Sequence, residues 1–95
     1  MSEDITSLRV CVEGIVQGVG FRNFLLMAAM RNRLDGWVRN RSDGSVEALV
    51  SGPTKAVEDF VSAATQGPQG ARVRSVDLHN SEPPPEKGFQ QRETL

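Results

Sequence analysis

The sequence predicts an α+β fold in which an antiparallel sheet carries two helices on one face. Four segments alternate apolar and polar residues as strands do, two segments carry apolar stripes at helical spacing, and a short turn signal joins the two middle strands. Their order along the chain is strand, helix, strand, strand, helix, strand. This order, βαββαβ, is the split βαβ or ferredoxin-like arrangement.

Length and composition indicate a single domain over residues 1–95. Of the 95 residues, 38% are hydrophobic and 24% are charged, so the chain can bury roughly 60 to 65% of its unfolded surface around one core. The net charge of −1 predicts no general attraction to nucleic acid or to anionic membranes. No charged leader precedes an apolar stretch and no long apolar run is present, which predicts a cytoplasmic protein. We expect a monomer that acts on a small molecule.

The first strand and the first helix lie on either side of a glycine-rich stretch. In "SLRVCVEGIV" apolar side chains alternate with polar ones, at Leu8, Val10 and Val12. From Phe21 onward, "FRNFLLMAAMRNRL" is rich in strong helix formers, and its apolar stripe comprises Phe21, Phe24, Leu25, Ala28 and Ala29. Cys11 is the single cysteine, which excludes an internal disulfide and any multi-cysteine metal site.

The second half of the chain supplies the remaining elements. The segment "DGWVRNRSDGSVEALVSG" predicts a hairpin, because its Asp43-Gly44 pair is a strong turn signal. Pro53 can open the second helix, since its missing N–H would be unpaired there anyway. The fourth strand, "ARVRSVDLHN", changes the phase of its alternation near Ser75, which predicts a bulge. Three prolines in "SEPPPEKG" then predict a stiff extended connector to a short final segment, "FQQRETL".

The stretch "GIVQGVGFRNF" predicts an anion-binding turn between the first strand and the first helix. Consecutive backbone N–H groups can converge there, and the positive end of the helix dipole adds to them. Gly18 and Gly20 permit positive φ and close approach, while Arg22 offers a planar fork for two phosphate oxygens. The predicted substrate-binding residues are Gln17, Gly18, Val19, Gly20 and Phe21, beside Arg22. A glycine-rich turn without a ligand is the alternative, since the stretch is neither a nucleotide P-loop nor a dinucleotide fingerprint.

Two ordered motifs carry a family resemblance. The segment "GIVQGVGFR", followed about fifteen residues later by "GWVRNRSDGSVE", is similar to the two signature segments of the acylphosphatase family, and the likeness covers nearly the whole chain. The resemblance implies a ferredoxin-like fold and hydrolysis of the carboxyl-phosphate anhydride of small acyl phosphates without metal or other cofactor. It implies that Arg22 binds the phosphate and that Asn40 orients the attacking water.

The chemistry of phosphoryl transfer fits these two residue types. It needs positioning and charge stabilisation more than covalent help, and the carboxylate leaving group needs little acid assistance. Asn40 can hold a neutral water through its carbonyl acceptor and amide donor without having to titrate. In the family picture the substrate's own oxygens take the proton of the water. We expect no catalytic role for His79 or Cys11.

The sequence departs from the family pattern at three positions. Many members have a basic residue where Ile15 stands, a glycine where Arg33 stands and an apolar residue where Gln91 stands. We therefore expect either a positive φ at Arg33 or a substitute role for Asn32 at the end of the first helix. Neither Arg22 nor Asn40 is affected by these departures.

Three other functions fit parts of the sequence. The acylphosphatase-like domain of the carbamoyltransferases that mature hydrogenases shares the same resemblance, but it belongs to a much longer chain with zinc-finger cysteines. The segment "GVGFRNF" superficially resembles the aromatic-and-glycine segment of RNA-recognition motifs, although it falls between a strand and a helix instead of in a central strand. A non-catalytic phosphate sensor would use the same glycine-rich turn, and only a turnover assay separates it from an enzyme.

Overall fold

The helices and strands follow the predicted order. A computed structural model describes residues 4–95. Two helices and five strands make up this part of the chain: β1 Ile5–Ile15, α1 Phe21–Arg31, β2 Asp35–Asn40, β3 Val46–Pro53, α2 Thr54–Gln66, β4 Arg72–Asn80 and β5 Phe89–Gln91. The predicted α+β fold is confirmed, and a short strand in the final segment adds to it. Pro53 ends β3 and caps α2, so the helix itself begins one residue later than Pro53.

The strands form one sheet in the order β4-β1-β3-β2-β5. The pairs β4-β1, β1-β3 and β3-β2 are antiparallel as predicted, whereas β5 runs parallel to β2, with Phe89 opposite Gly36. Strand β4 ends at the end of the sheet where β2 begins. The proline-rich segment that follows β4 crosses this end of the sheet, so β5 starts beside the start of β2. The two strands therefore run in the same direction. The sheet is mixed and not wholly antiparallel for this reason.

The core lies between the sheet and the two helices. Alternate side chains of β1, β2 and β3 point to this side, and each helix contributes its apolar stripe. The ring of Phe60 in α2 packs against that of Phe89 in β5, with 6.4 Å between the ring centres. The largest fully buried side chains are Phe21, Phe60, Leu25, Val10, Val12, Val16, Val38, Val46, Val50 and Val57. Both helices therefore cover the same face of the sheet, as predicted.

Two local irregularities anticipated from the sequence occur in the structure. Glu13 pairs with Ser75 but Gly14 pairs with Val73, so Arg74 is the extra residue of a β-bulge next to Ser75. Arg33 has a φ of 57°, and it ends the turn after α1 in the left-handed region. Asn32 keeps a negative φ and instead donates from its side chain to the carbonyl oxygen of Ala28 at 2.8 Å.

The sheet face opposite the helices, which we call the open face, is rich in arginine. Trp37 lies there beneath two guanidinium groups, those of Arg39 and Arg92, which are 4.6 and 5.1 Å from its ring centre. Cys11 and the exposed His79 also lie on strands that contribute to this face. Within the described residues, no helix combines the length and the apolar character needed to cross a bilayer.

Candidate functional site

The two segments singled out by their motifs meet at one end of the sheet. They line a cleft of about 300 Å³ between the β1–α1 turn and the end of β2. Its walls include Gln17, Gly18, Gly20, Phe21, Arg22 and Asn40. Residues 18 positions apart in sequence, Arg22 and Asn40, therefore share one cavity because β2 lies beside α1 in the fold.

The two glycines of the turn adopt backbone conformations that other residues rarely take. Gly18 has a φ of 75° and Gly20 a φ of 77°, both in the left-handed region. A Cβ atom added at either position would meet no atom of residues 4–95 within 4 Å. The glycines are thus required by backbone conformation and not by crowding within the protein, and they leave the approach to the turn open.

The backbone N–H groups of this turn are available to a ligand. None of the backbone hydrogen bonds outside the helices and strands of the described chain uses an N–H group of residues 17–20. Gly20 is the N-cap of α1 and has no side chain with which to satisfy the first N–H groups of the helix. The first turn of α1 also contains no acidic residue. The site therefore presents free donors and the positive end of a helix dipole, a combination suited to an anion.

Arg22 adds a full positive charge to the same wall of the cleft. Its side chain is half-buried in the first turn of α1. Among residues 4–95, no carboxylate forms an ion pair with it, although six such pairs occur elsewhere in the described chain. Its guanidinium group is therefore free to form charge-assisted hydrogen bonds with an anion in the cleft.

Asn40 is the last residue of β2 and presents a buried amide oxygen. It pairs with Val46, whose side chain points into the core, so Asn40 faces the helix side of the sheet. Its Oδ1 atom is buried and has no hydrogen-bond partner within the part of the chain that the structure describes. A buried polar atom without a partner is rare in folded proteins and requires an explanation. Its position in the cleft indicates that a ligand or a bound water would be its donor.

The side chain of Gln17 connects the two walls of the cleft. Its Nε2 atom donates to the carbonyl oxygens of Arg41 and Ser45, at 2.7 and 2.8 Å. These residues belong to the turn that directly follows Asn40. The sequence predicted a role only for the backbone of Gln17. An amide side chain in an otherwise glycine-rich turn was the available signal for a cross-link, but its partners depend on the tertiary fold.

The turn after Asn40 is itself well defined, as predicted from Asp43-Gly44. Its ends are joined by a hydrogen bond from the N–H of Arg41 to the carbonyl oxygen of Ser45 at 2.8 Å. The carboxylate of Asp43 accepts from the hydroxyl and from the N–H of Ser45, at 2.6 and 2.9 Å. These two hydrogen bonds lower the pKa of Asp43 below its usual value. The turn thus supports the end of β2 without contributing a group to the cleft.

A buried carboxylate on the open face bonds the two residues that flank Asn40, and the sequence analysis did not identify it. The side chain of Glu47 in β3 is only 3% exposed and forms ion pairs with Arg9, Arg39 and Arg41. Burial raises the pKa of Glu47, but hydrogen bonds from the three guanidinium groups outweigh burial and hold that pKa below its usual value. A glutamate between apolar strand residues carried no sequence signal for this network, because Arg9 belongs to another strand and the β2–β3 register decides that Arg39 lies opposite Glu47.

The two remaining predicted site residues, Val19 and Phe21, pack in or against the core. Val19 packs against the core and does not line the cleft, since the turn directs its side chain inward. Phe21 lines the cleft but is also almost fully buried, so the segment "GVGFRNF" offers no exposed aromatic platform of the RNA-recognition type. Gln91 of β5 and Asn23 complete the rim. Within residues 4–95, no three His, Cys, Asp or Glu side chains group closely enough to hold a metal ion.

Comparisons with known proteins agree with the motifs. The family model described as Acylphosphatase matches residues 8–91. A curated acylphosphatase of Acidovorax sp. (strain JS42) is 42% identical over 97 aligned positions, covering all of both chains. The crystal structure of acylphosphatase from Bacillus subtilis superimposes with a TM-score of 0.81 at 37% identity, over 97% of this chain and 98% of that one. Full-length HypF, solved in its phosphate- and nucleotide-bound form, gives a TM-score of 0.89 at 28% identity, but the match covers only 13% of HypF.

Proposed function

The chain belongs to the acylphosphatase family, whose members hydrolyse acyl phosphates, and from this premise we propose that Arg22 binds the phosphate and Asn40 orients the attacking water. The fold and the family account for the reaction class. The assignment of roles to individual residues is our proposal. It is carried by one observation: the buried Oδ1 atom of Asn40 and the guanidinium group of Arg22 lie in the same cleft, and within residues 4–95 the first has no hydrogen-bond partner and the second no ion pair.

The phosphate end of the substrate binds in the β1–α1 turn. Its oxygens accept hydrogen bonds from the free backbone N–H groups of residues 17–20 and from the first turn of α1. Arg22 grips two of the oxygens with its planar guanidinium group, which a lysine could not do. These donors also stabilise the charge that the phosphoryl group carries in the transition state, because they are already oriented before the substrate arrives.

The water attacks phosphorus from the side of Asn40. The Oδ1 atom of Asn40 accepts a hydrogen bond from the water and thereby directs a lone pair of the water oxygen toward phosphorus. As the new O–P bond forms, the bond between phosphorus and the acyl oxygen breaks, and the carboxylate leaves with the electron pair. A phosphate oxygen of the substrate takes the proton of the water. The products are a carboxylate and inorganic phosphate.

The proposed reaction uses no metal and no cofactor. Charge stabilisation comes from Arg22, the backbone N–H groups and the helix dipole, and the good leaving group needs no protonation. The direct test is the release of phosphate from acetyl phosphate by the purified protein in excess chelator. We expect the rate of phosphate release to be the same with and without chelator. Loss of turnover that returns on addition of a divalent metal would contradict the proposal, and binding of phosphate without any turnover would indicate a sensor instead of an enzyme.

The cellular setting of the reaction remains a prediction from the sequence. We propose that the protein acts as a cytoplasmic monomer on a free small molecule, in keeping with a net charge of −1 and with a cleft whose described walls come from a single chain. Gel filtration with light scattering at several protein concentrations would test the monomer. A concentration-dependent increase in mass would contradict it.

A further inference from the structure

We infer that Glu47 is a positioning residue that orients Asn40 through Arg39 and Arg41. The inference rests on the proposed role of Asn40 in holding the water. Glu47 does not touch the cleft, because its side chain lies on the open face of the sheet. Its effect is transmitted through the backbone of β2 and the turn that follows it.

One carboxylate oxygen of Glu47 holds the two residues on either side of Asn40. Its Oε1 atom accepts from Nε of Arg39 at 2.8 Å and from Nη1 of Arg41 at 3.1 Å. Arg39 pairs directly with Glu47 across β2 and β3, and Asn40 pairs with Val46. Asn40 is thus the one residue between Arg39 and Arg41, whose side chains both bond the Oε1 atom of Glu47.

Because side chains alternate along a strand, the bonds of Glu47 to Arg39 and Arg41 fix the direction of the Asn40 side chain. Arg39 precedes Asn40 in the strand and projects to the open face, so Asn40 projects to the opposite side and into the cleft. Arg41 follows as the first residue of the turn, and its side chain returns to the open face to reach Glu47. With both neighbours tied to the same oxygen, the backbone around Asn40 has little freedom to rotate, and its amide stays directed at the cleft.

Burial makes Glu47 a firm anchor. Its side chain is 3% exposed, whereas the side chains of Arg39 and Arg41 are 19% and 37% exposed. The carboxylate is therefore surrounded by protein and satisfied by three guanidinium groups, which restricts it to one position. The two arginines reach it from the more exposed surface, and without it they could turn to water.

Arg9 provides a control within the same network. It bonds the other carboxylate oxygen, Oε2, at 3.1 Å, and it belongs to β1. It is not adjacent to Asn40 in the chain or in the β2–β3 pairing. Removing Arg9 therefore removes a comparable ion pair from Glu47 while leaving both bonds to Oε1, and thus the orientation of Asn40, in place.

The test compares Glu47→Leu with Arg9→Met in assays of acetyl phosphate hydrolysis. We expect Glu47→Leu to lower kcat per folded molecule about tenfold, the effect of a misplaced positioning group, while the inhibition constant of phosphate stays within twofold. Arg9→Met should keep kcat within twofold of the wild type. Should Glu47→Leu fail to fold, Arg39→Met and Arg41→Met are expected to show the same fall in kcat with unchanged phosphate inhibition.

A second comparison separates this inference from the proposed role of Asn40. In an Asn40→Ala background, measured through its residual turnover at high enzyme concentration, adding Glu47→Leu should lower kcat no further. Retention of wild-type kcat in Glu47→Leu, or an equal loss in both backgrounds, would overturn the inference. A normal kcat in Asn40→Ala alone would instead overturn the proposed function. A purely structural Glu47 would lower the melting temperature and leave kcat per folded molecule unchanged.

Discussion

The amide of Gln17 donates two hydrogen bonds, to the carbonyl oxygens of Arg41 at 2.7 Å and of Ser45 at 2.8 Å. It thereby ties the anion-binding turn to the segment that follows Asn40. In the proposed mechanism the phosphate and the water must be aligned within a fraction of an ångström for attack on phosphorus, so we expect the spacing of these two segments to affect the reaction. We expect Gln17 to fix that spacing from the side of the predicted phosphate-binding turn. Glu47 is inferred to orient Asn40 from the open face.

Replacing Gln17 with leucine should lower kcat/KM for acetyl phosphate about tenfold, because the two segments are no longer joined. The two carbonyl oxygens would lose a donor, which should lower the free energy of unfolding by about 1 to 2 kcal/mol. Initial rates and urea unfolding measure the two effects. Gln69→Leu, at an exposed loop position, is the matched control. Unchanged kinetics in a Gln17→Leu protein of reduced stability would show that the cross-link has only a structural role.

Inorganic phosphate should bind where the N–H groups of residues 17–22 converge and should inhibit competitively. The free donors of this turn and the absence of an acid in the first turn of α1 favour this position. Titration followed by amide NMR shifts would locate the site, with sodium chloride as the control for ionic strength. Large shifts elsewhere, with residues 17–22 unmoved, would disprove the assignment.

The substitution Arg22→Lys keeps the charge but loses the planar grip on two oxygens. We expect kcat/KM to fall at least about a hundredfold, as when one oriented transition-state donor is removed, with little change in stability. Arg31→Lys, near the other end of the same helix and exposed, is the control. A folded Arg22→Lys protein with near wild-type kcat/KM would show that Arg22 is not the phosphate clamp.

The substitution Asn40→Ala should reduce kcat by about a hundredfold or more while phosphate inhibition changes only a few-fold, because the proposed mechanism assigns the water and the anion to different residues. Removing an unpaired polar atom from a buried position should cost little stability. Asn80→Ala, at the exposed end of β4, controls for general effects. The water-orienting role would have to be abandoned if the variant turned over normally per folded molecule.

Glu47 should make stability depend on pH in acid. Its pKa in the folded protein is lower than the usual value of 4.5, because hydrogen bonds from Arg39, Arg41 and Arg9 outweigh the effect of burial. The ionised form is therefore favoured by folding, so its stabilisation is complete above that usual value and is lost as the pH falls through the lower, folded pKa.

Urea unfolding at a series of pH values would measure this dependence. The stability difference between the wild type and Glu47→Leu should shrink as the pH falls below the usual glutamate pKa of 4.5. Glu86→Gln, which removes an exposed carboxylate, should leave the acid slope of the wild type nearly unchanged. A difference between the wild type and Glu47→Leu that is constant with pH would show that the ion pairs of Glu47 are not linked to folding.

Structural features that depend on neighbouring residues could be predicted from the amino-acid sequence. Alternation identified β1, the stripe from Phe21 identified α1, and Asp43-Gly44 identified the hairpin turn, because strand period, helix period and turn chemistry act over a few positions. The positive φ of Gly18 and Gly20 follows from the same local rule. The motifs also nominated Arg22 and Asn40, whose roles remain predictions although they line one cleft.

The contacts and directions that relate separate segments could be seen only in the folded chain. That β5 runs parallel to β2 depends on which end of the sheet the connector crosses, and that Val19 turns inward depends on the packing beneath the β1–α1 turn. The partners of Gln17 lie 24 and 28 residues away in the chain. Two partners of Glu47 lie in its own hairpin, only 6 and 8 residues away, and the register between β2 and β3 decides that they face it. Local sequence patterns do not specify the register of paired strands, so the contacts of Gln17 and Glu47 could be found only in the folded chain.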